Sequence, residues 1–142
     1  MFWGDHFDEV MAALMTSALR SAGWRTHLVG LGGLAHTGQH GVRLVADISL
    51  GEALRMQEAI AGIILPCPPD HLFSLVDPRI GELLGAARCQ NALFAAEWQA
   101  RTPDFDAWPK TASILEIDPV RLTQGVQEII GRLDRTVDAP PS

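Results

Sequence analysis

Apolar and polar positions along the chain form segments with two different periods. Residues 7–22 carry apolar side chains every three or four positions, which predicts an amphipathic helix. Residues 24–31, 62–66 and 92–96 are short and rich in apolar side chains, as buried strands of a parallel sheet are. Because such runs alternate with helical segments, the pattern predicts an α/β fold. The arrangement that fits best is a flavodoxin-like three-layer sandwich around a mostly parallel sheet.

Acidic residues and prolines mark where the predicted helices begin. Asp5 is a suitable N-cap for the first helix, and Asp8 follows it at the spacing of a capping box. Asp77 and Asp118 each precede a proline, a pairing typical of helix starts. Asp70 would cap a further short helix. The inward side chains predicted for the helices after Asp77 and Asp118 are Ile80, Leu83, Leu84, Ala87, Leu122, Val126, Ile129, Ile130 and Leu133.

A turn and a strand are predicted between the second strand and the helix at residues 51–60. Gly38 and Gly41 lie three residues apart, and glycine adopts positive φ without steric cost. Residues 42–46 then show a weak period of two, as in a strand with one wetter face. This insertion is informative about the fold and carries no chemistry of its own.

The two ends of the chain give weaker signals. Phe2 and Trp3 form an apolar pair that Gly4 interrupts, whereas a strand typically has about five residues. Either the first strand is a stub or the natural chain begins upstream of Met1. We expect a single domain over residues 1–136 and a flexible tail over residues 137–142.

The composition of the chain limits which binding partners and which cellular compartment we expect. The 142 residues carry a net charge of −6 and no basic cluster, which argues against nucleic-acid binding. No apolar run approaches the roughly 18 residues that a membrane span needs. Two cysteines and no signal peptide favour a reduced, cytoplasmic protein. His36 and His40 could share zinc only on a helix, which the neighbouring glycines disfavour, so we predict no metal and no cofactor.

Four short motifs resemble one protein family. The first helix contains Phe7-Asp8-Glu9-Val10, and residues 20–24 read Arg-Ser-Ala-Gly-Trp before the second strand. Residues 37–50 contain the two spaced glycines and an aspartate, and residues 63–66 read Ile-Ile-Leu-Pro. In these motifs the chain resembles the ThiJ/PfpI family of the class I glutamine amidotransferase-like superfamily. The resemblance covers residues 4–97 and implies the flavodoxin-like fold.

At each position where the resemblance implies a catalytic group, the chain has a different residue. The family has a carboxylate on the first helix, a Pro-Gly-Gly loop with N–H donors, and a nucleophilic cysteine on a strand-to-helix turn. The matching positions hold Met11, the loop 66–69 and a segment 94–100 without cysteine. In that loop, Pro68 and Pro69 have no N–H to donate to an oxyanion. Residues 99–110 also look too few for the helix and strands of the family, so we expect a shortened member.

Two interpretations of the candidate site stay open. In the first, Cys67 is a displaced nucleophile, because it follows a strand at the edge where α/β folds bind ligands. His71, Asp8 and Glu9 are then candidate bases, and Glu97 is a candidate acid or base at the former nucleophile position. This implies a hydrolase or lyase acting on small carbonyl or amide substrates. In the second interpretation, Cys67 is a structural loop cysteine and Glu97 a solvated carboxylate.

Aromatic residues in and beside the short segment favour an interface. Trp98, Phe105 and Trp108 are residue types that often anchor protein contacts, although they would serve equally well to cover a bare sheet end. The leading hypothesis is therefore a non-catalytic binding or assembly module that forms a homodimer. A protein partner or a small molecule would be its ligand.

Overall fold

The computed structural model describes residues 2–3, 6–67, 77–97 and 114–138. The strands are β1 (Phe2–Trp3), β2 (Val29–Gly30), β3 (Ala35–Thr37), β4 (Arg43–Val45), β5 (Ile48–Ser49), β6 (Gly62–Leu65), β7 (Leu93–Glu97) and β8 (Ile114–Ile117). The α-helices are α1 (Glu9–Ser21), α2 (Leu50–Arg55), α3 (Pro78–Cys89) and α4 (Leu122–Asp138). Short 3₁₀ turns occur at Gln57–Ala59 and Pro119–Arg121.

Parallel strands form the sheet in two groups of three. β2 lies between β1 and β5, and β7 lies between β6 and β8, with parallel pairing in both groups. β1 lies beside β6, which brings the two groups together. β3 and β4 form an antiparallel hairpin between β2 and β5. The predicted α/β fold with a mostly parallel sheet is therefore confirmed.

The helices form two layers because the chain crosses the sheet in two directions. From β1 the chain passes through α1 to β2, whereas from β5 it passes through α2 to β6 and then through α3 to β7. Right-handed crossovers then place α1 on one face and α2 with α3 on the other. The packing agrees, since α1 contacts α4 and α2 contacts α3.

The first helix begins later than the sequence predicts and buries a different face. Asp8, and not Asp5, is the N-cap, and its carboxylate accepts a hydrogen bond from the Met11 N–H at 2.8 Å. Val10 and Leu14 belong to the apolar stripe of residues 7–22, which predicts that they face inward, but they are 61% and 36% exposed. Because apolar residues occur on both sides of the helix, their period alone does not select the buried face. The buried residues of α1 are Glu9, Met11, Ala12, Met15, Thr16 and Leu19.

The other helix starts agree more closely with the predictions. Asp77 caps α3, as its position before a proline indicates. Ser49 and Glu52 form a capping box at the start of α2, so this helix begins one residue earlier than predicted. Asp118 caps the 3₁₀ turn that leads into α4. The predicted inward residues of α3 are all buried: Ile80, Leu83, Leu84 and Ala87.

The second strand is shorter than the predicted 24–31 because side chains bond the backbone before it. Arg20 donates to the Thr26 carbonyl at 2.9 Å, and Asp47 accepts from the Leu28 N–H at 2.8 Å. Arg20 and Asp47 also form an ion pair at 2.6 Å. Hydrogen bonds from these side chains therefore take the place of part of the backbone ladder that a strand over residues 24–31 would form.

The core lies on both faces of the sheet. Both helical layers contribute to it, and burying each large apolar side chain is worth about 1.5–3 kcal/mol. Its largest fully buried side chains are Phe7, Met11, Met15, Ile63, Leu65, Leu83, Leu84, Phe94, Ile117 and Ile129.

Some predictions concern residues outside the described ranges. These include the short helix after Asp70, the segment 99–110 and the end of the tail. α4 itself continues to Asp138. The division into a domain over residues 1–136 and a flexible tail stays a prediction.

Candidate functional site

The start of α1, the hairpin and the end of β6 meet at one edge of the sheet. The Asp8 N–H donates to the Pro66 carbonyl at 2.6 Å, which holds the start of α1 beside the loop that contains Cys67. The His6 N–H donates to the Thr37 carbonyl at 2.9 Å, at the end of β3. Because α/β folds bind ligands where their parallel strands end, this edge is the candidate site.

The turn of the hairpin is closed by its own backbone and docked on α1. The Gly38 N–H donates to the Val42 carbonyl at 2.9 Å, and the Gly41 N–H donates to the Gly38 carbonyl at 3.1 Å. Gly41 has a φ of +86°, in the region that favours glycine. The Gln39 N–H donates to the Phe7 carbonyl at 3.0 Å. The predicted glycine turn is therefore confirmed, and the structure adds its contact with α1.

Glu9 is the side chain that joins α1 to the hairpin. It is 6% exposed, and its Oε1 accepts from the His40 N–H at 2.7 Å and from the Val42 N–H at 3.2 Å. Its Oε2 lies 3.0 Å from Nδ1 of His40. A Cβ on Gly38 would overlap the Glu9 side chain, so a glycine is needed where this side chain passes. The hairpin thus forms a site for the Glu9 carboxylate.

These contacts decide the ionisation of Glu9. Burial by itself raises the pKa of a carboxyl group, because it disfavours the charged form. Hydrogen bonds from the backbone of Glu9, His40 and Val42 and from the His40 ring outweigh burial, and they lower the pKa of Glu9 to about 2. A carboxylate with so low a pKa and donors on both oxygens is a weak base. In this geometry Glu9 anchors the hairpin.

The neighbouring candidate positions on α1 serve the fold as well. Asp8 is half-buried, and its Oδ1 caps the helix. Met11 stands where the resemblance places a family carboxylate, and its side chain is fully buried. A thioether in the core offers no site for a proton at neutral pH.

Cys67 lies at the carboxyl end of β6. It directly follows Pro66 and is 3% exposed. β6 pairs with β7 in a register that sets Leu65 opposite Ala96, so Pro66 and Glu97 come next at the same edge. The backbones of four candidate residues lie at this edge: Asp8, Glu9, Cys67 and Glu97. Their catalytic roles stay predictions.

Other candidate residues lie outside the described ranges, and their roles also stay predictions. They are His71, Pro68, Pro69, Trp98, Phe105 and Trp108. Within the described part of the chain, no group of three His, Cys, Asp or Glu side chains could hold a metal ion. None of the helices described there is both long and apolar enough to cross a membrane.

Sequence reasoning missed the pairing of Glu9 with the hairpin. Part of the signal was present, since a buried carboxylate needs donors and a glycine turn offers backbone N–H groups. However, 31 positions separate Glu9 from His40, and no spacing rule connects a helix start to a turn at that distance. Only the folded chain shows which turn supplies the donors.

Comparisons with known proteins bear on the fold. No protein-family model and no curated protein sequence matches the chain. A solved DJ-1 superfamily protein from Salmonella typhimurium matches with a TM-score of 0.70 and 15% identity, covering 94% of this chain and 88% of that one. Drosophila melanogaster DJ-1β matches with a TM-score of 0.71 and 15% identity, covering 99% and 96%. Oxidized Toxoplasma gondii DJ-1 matches with a TM-score of 0.65 and 13% identity, covering 99% and 97%.

These matches establish a flavodoxin-like α/β fold. The structural neighbours of the chain are proteins of the DJ-1/ThiJ/PfpI superfamily, in agreement with the resemblance carried by the four motifs. The matches extend over between 88% and 97% of the three neighbours described above. The expected reduction after β7 falls on residues 99–110, outside the described ranges, and stays a prediction. At this level of identity the likeness concerns the fold.

Proposed function

We propose that the protein is a non-catalytic domain with a DJ-1/ThiJ/PfpI-like fold that acts by binding or assembly, as a homodimer. The observation that supports this most is the state of Glu9. Both of its oxygens accept hydrogen bonds from the hairpin, and its pKa is lowered to about 2. The carboxylate nearest in sequence to the family position is therefore committed to holding the structure together.

A catalytic cysteine needs a base that removes its proton at the working pH. Glu9 would have to release His40 and Val42 before it could act, and its low pKa makes it a poor acceptor. Asp8 is engaged in the helix cap, and Met11 has no basic group. The first helix thus supplies structural contacts at each position where a base is expected.

The outward surface of α1 and the hairpin supports assembly. Val10 on α1 is 61% exposed, Val42 in the turn is 50% exposed, and Val45 on β4 is 64% exposed. Glu9 joins α1 to the hairpin through its hydrogen bond with His40. The three exposed valines therefore belong to two elements that are held together. Exposed apolar surface is typical of interaction sites, and two-fold pairing is the commonest way to bury it.

Thiol reactivity tests the non-catalytic proposal. Cys67 is buried and Cys89 is exposed, so each single variant, Cys67→Ser and Cys89→Ser, isolates one thiol. We expect Cys89→Ser to react slowly with iodoacetamide in the native state and Cys67→Ser to react readily. An ordinary thiol is alkylated with the pH dependence of a group whose pKa is about 8.5. Unfolding in urea provides the control, because both thiols should then react alike.

The competing function is a hydrolase or lyase that uses Cys67 on small carbonyl or amide substrates. Its support is the placement of Cys67 at the carboxyl end of β6, beside the start of α1. Under this function the Cys89→Ser protein is alkylated rapidly well below pH 8, and turnover of small esters or 2-oxoaldehydes is lost on Cys67→Ser. Observing both would overturn the non-catalytic proposal.

Assembly is tested separately, by sedimentation equilibrium of matched variants. We expect a dimer at micromolar concentration, which Val10→Asp weakens by about ten-fold or more. Val120→Asp is the matched control, because Val120 is 91% exposed but lies in the 3₁₀ turn before α4. A monomer at every concentration, or equal weakening by both variants, would contradict an interface on α1 and the hairpin.

A further inference from the structure

The turn of the hairpin, residues 38–42, is held against α1 by polar contacts. Gly38 is buried, whereas residues 39–42 are exposed, so the turn buries little apolar surface where it meets the helix. Segments with few buried apolar contacts open locally at a lower free energy than the core of a protein. The position of the turn therefore depends on its hydrogen bonds.

Three of these contacts are made to Glu9. Its Oε1 accepts from the N–H groups of His40 and Val42 at 2.7 and 3.2 Å, and its Oε2 lies 3.0 Å from Nδ1 of His40. Hydrogen bonds to an ionised group are about twice as strong as those between neutral groups, such as the bond from the Gln39 N–H to the Phe7 carbonyl. Removing this one carboxylate therefore removes three contacts of the turn at once, all of them to an ionised group.

The strands of the hairpin are held independently of Glu9. Leu44 of β4 packs against the core, and His36 of β3 is buried. Among the residues that the structure describes, β3 and β4 pair with each other and with no strand of the parallel sheet. The turn is thus able to leave α1 while the strands stay in place, without breaking a ladder of that sheet.

Glu9 also determines how two exposed valines lie relative to each other. Val10 is the next residue on α1, and the Val42 N–H is bonded to the Glu9 carboxylate. The two valines are 61% and 50% exposed. When the turn leaves α1, Val42 moves relative to Val10, and the apolar surface that the two elements present together is divided.

We propose that the turn exchanges between a docked and an open state, that Glu9 holds it docked, and that two copies of the chain pair only through docked turns. This inference rests on the proposed homodimer and adds the control of its assembly. Glu9 is then a positioning residue, which acts on the interface through Val42. Because a dimer needs two docked turns, its apparent dissociation constant rises with the inverse square of the docked fraction. A variant whose turn is docked for about a third of the time should form a dimer that is about nine-fold weaker.

The test compares two substitutions of Glu9 in the full chain. Glu9→Ala removes both oxygens, whereas Glu9→Gln keeps one oxygen that accepts from the N–H groups of His40 and Val42. In sedimentation equilibrium we expect the dimer to weaken by about ten-fold or more in Glu9→Ala and by about three-fold in Glu9→Gln. If Glu9→Ala does not fold, Glu9→Gln against the wild type still decides.

Amide hydrogen exchange reports on the turn itself. At protein concentrations well below the dissociation constant, exchange at His40 and Val42 should be at least about ten-fold faster in Glu9→Ala than in the wild type. As the concentration of this variant rises through its dissociation constant, exchange at the same two residues should slow again. The reason is that pairing selects the docked turn, and the coupling between docking and pairing is reciprocal.

Two control variants separate the loss of docking from other causes of a weaker dimer. Leu84→Ala destabilises the core from α3, and it should leave the dimer and the exchange of the turn within about two-fold of the wild type. Val10→Asp weakens the dimer but keeps Glu9, so the turn of its monomer should exchange at the wild-type rate. An open turn with an unchanged dimer would overturn this inference alone. A wild-type chain that is a monomer at every concentration would overturn it together with the proposed homodimer.

Discussion

Replacing Glu9 with glutamine tests whether an ionised carboxylate holds the hairpin to α1. Glutamine keeps the size of the side chain and loses its charge. The pKa of Glu9 is about 2 in the folded protein, against an ordinary value of 4.5. Because the folded pKa is the lower one, the stability that ionised Glu9 contributes is fully present above pH 4.5. That contribution is lost as the pH falls from 4.5 toward 2.

The size of the effect follows from the two pKa values of Glu9. At about pH 3.3, a carboxyl group with the ordinary pKa is about 94% protonated, whereas one with a pKa of about 2 is about 5% protonated. Unfolding of the wild-type chain should therefore take up about 0.9 proton more than unfolding of Glu9→Gln at that pH. Other carboxylates contribute to both proteins alike, so their share cancels in the comparison.

The assay is urea unfolding at closely spaced pH values from 6.5 to 2.5 and constant ionic strength. The slope of stability against pH gives the proton uptake directly. His40→Ala is the matched variant, because it removes Nδ1 and keeps the backbone N–H donors of His40 and Val42. It should retain most of the extra proton uptake. Parallel pH profiles for the wild type and Glu9→Gln would refute the reasoning about this carboxylate.

Three further predictions concern packing and assembly. Gly38→Ala should lower the free energy of unfolding in urea by about 1–3 kcal/mol, because its Cβ overlaps the Glu9 side chain. Combining it with Glu9→Ala should recover part of that loss, and additive effects of the two substitutions would contradict the clash. Leu84→Ala should lower the free energy of unfolding by about 2–5 kcal/mol, because Leu84 is 0% exposed. Val120→Ala, at a 91% exposed position, should change it by no more than about 0.5 kcal/mol, and similar losses for the two variants would contradict the assigned core. Trp108→Ala should weaken the dimer by about 2 kcal/mol or more in sedimentation equilibrium if Trp108 anchors it, and an unchanged dissociation constant would remove it from the interface.

Short-range patterns determined much of the fold. The proline after Asp77 marks the start of α3 because capping depends on residues within one helical turn. The glycines at positions 38 and 41 mark the hairpin turn because positive φ is a local requirement. The alternation of strands and helices predicts the parallel sheet, since parallel strands need crossover connections. In each case the physical cause lies within a few residues.

The tertiary structure decided what depends on distant parts of the chain. The sequence leaves the buried face of α1 open, because apolar residues occur on both sides, and only packing against the sheet and α4 selects the face with Glu9 and Met11. The second strand is short because Arg20 and Asp47, which are 27 positions apart, meet and bond its neighbours.

The candidate site shows most clearly which features follow from the sequence and which depend on the folded chain. Sequence order alone places Glu9 and Cys67 at the edge where parallel strands end, because that edge follows from the topology. Whether Glu9 is an available base or a structural anchor depends on donors 31 and 33 positions away. Burial and hydrogen bonding set the pKa of a carboxyl group, and both exist only once the chain has folded.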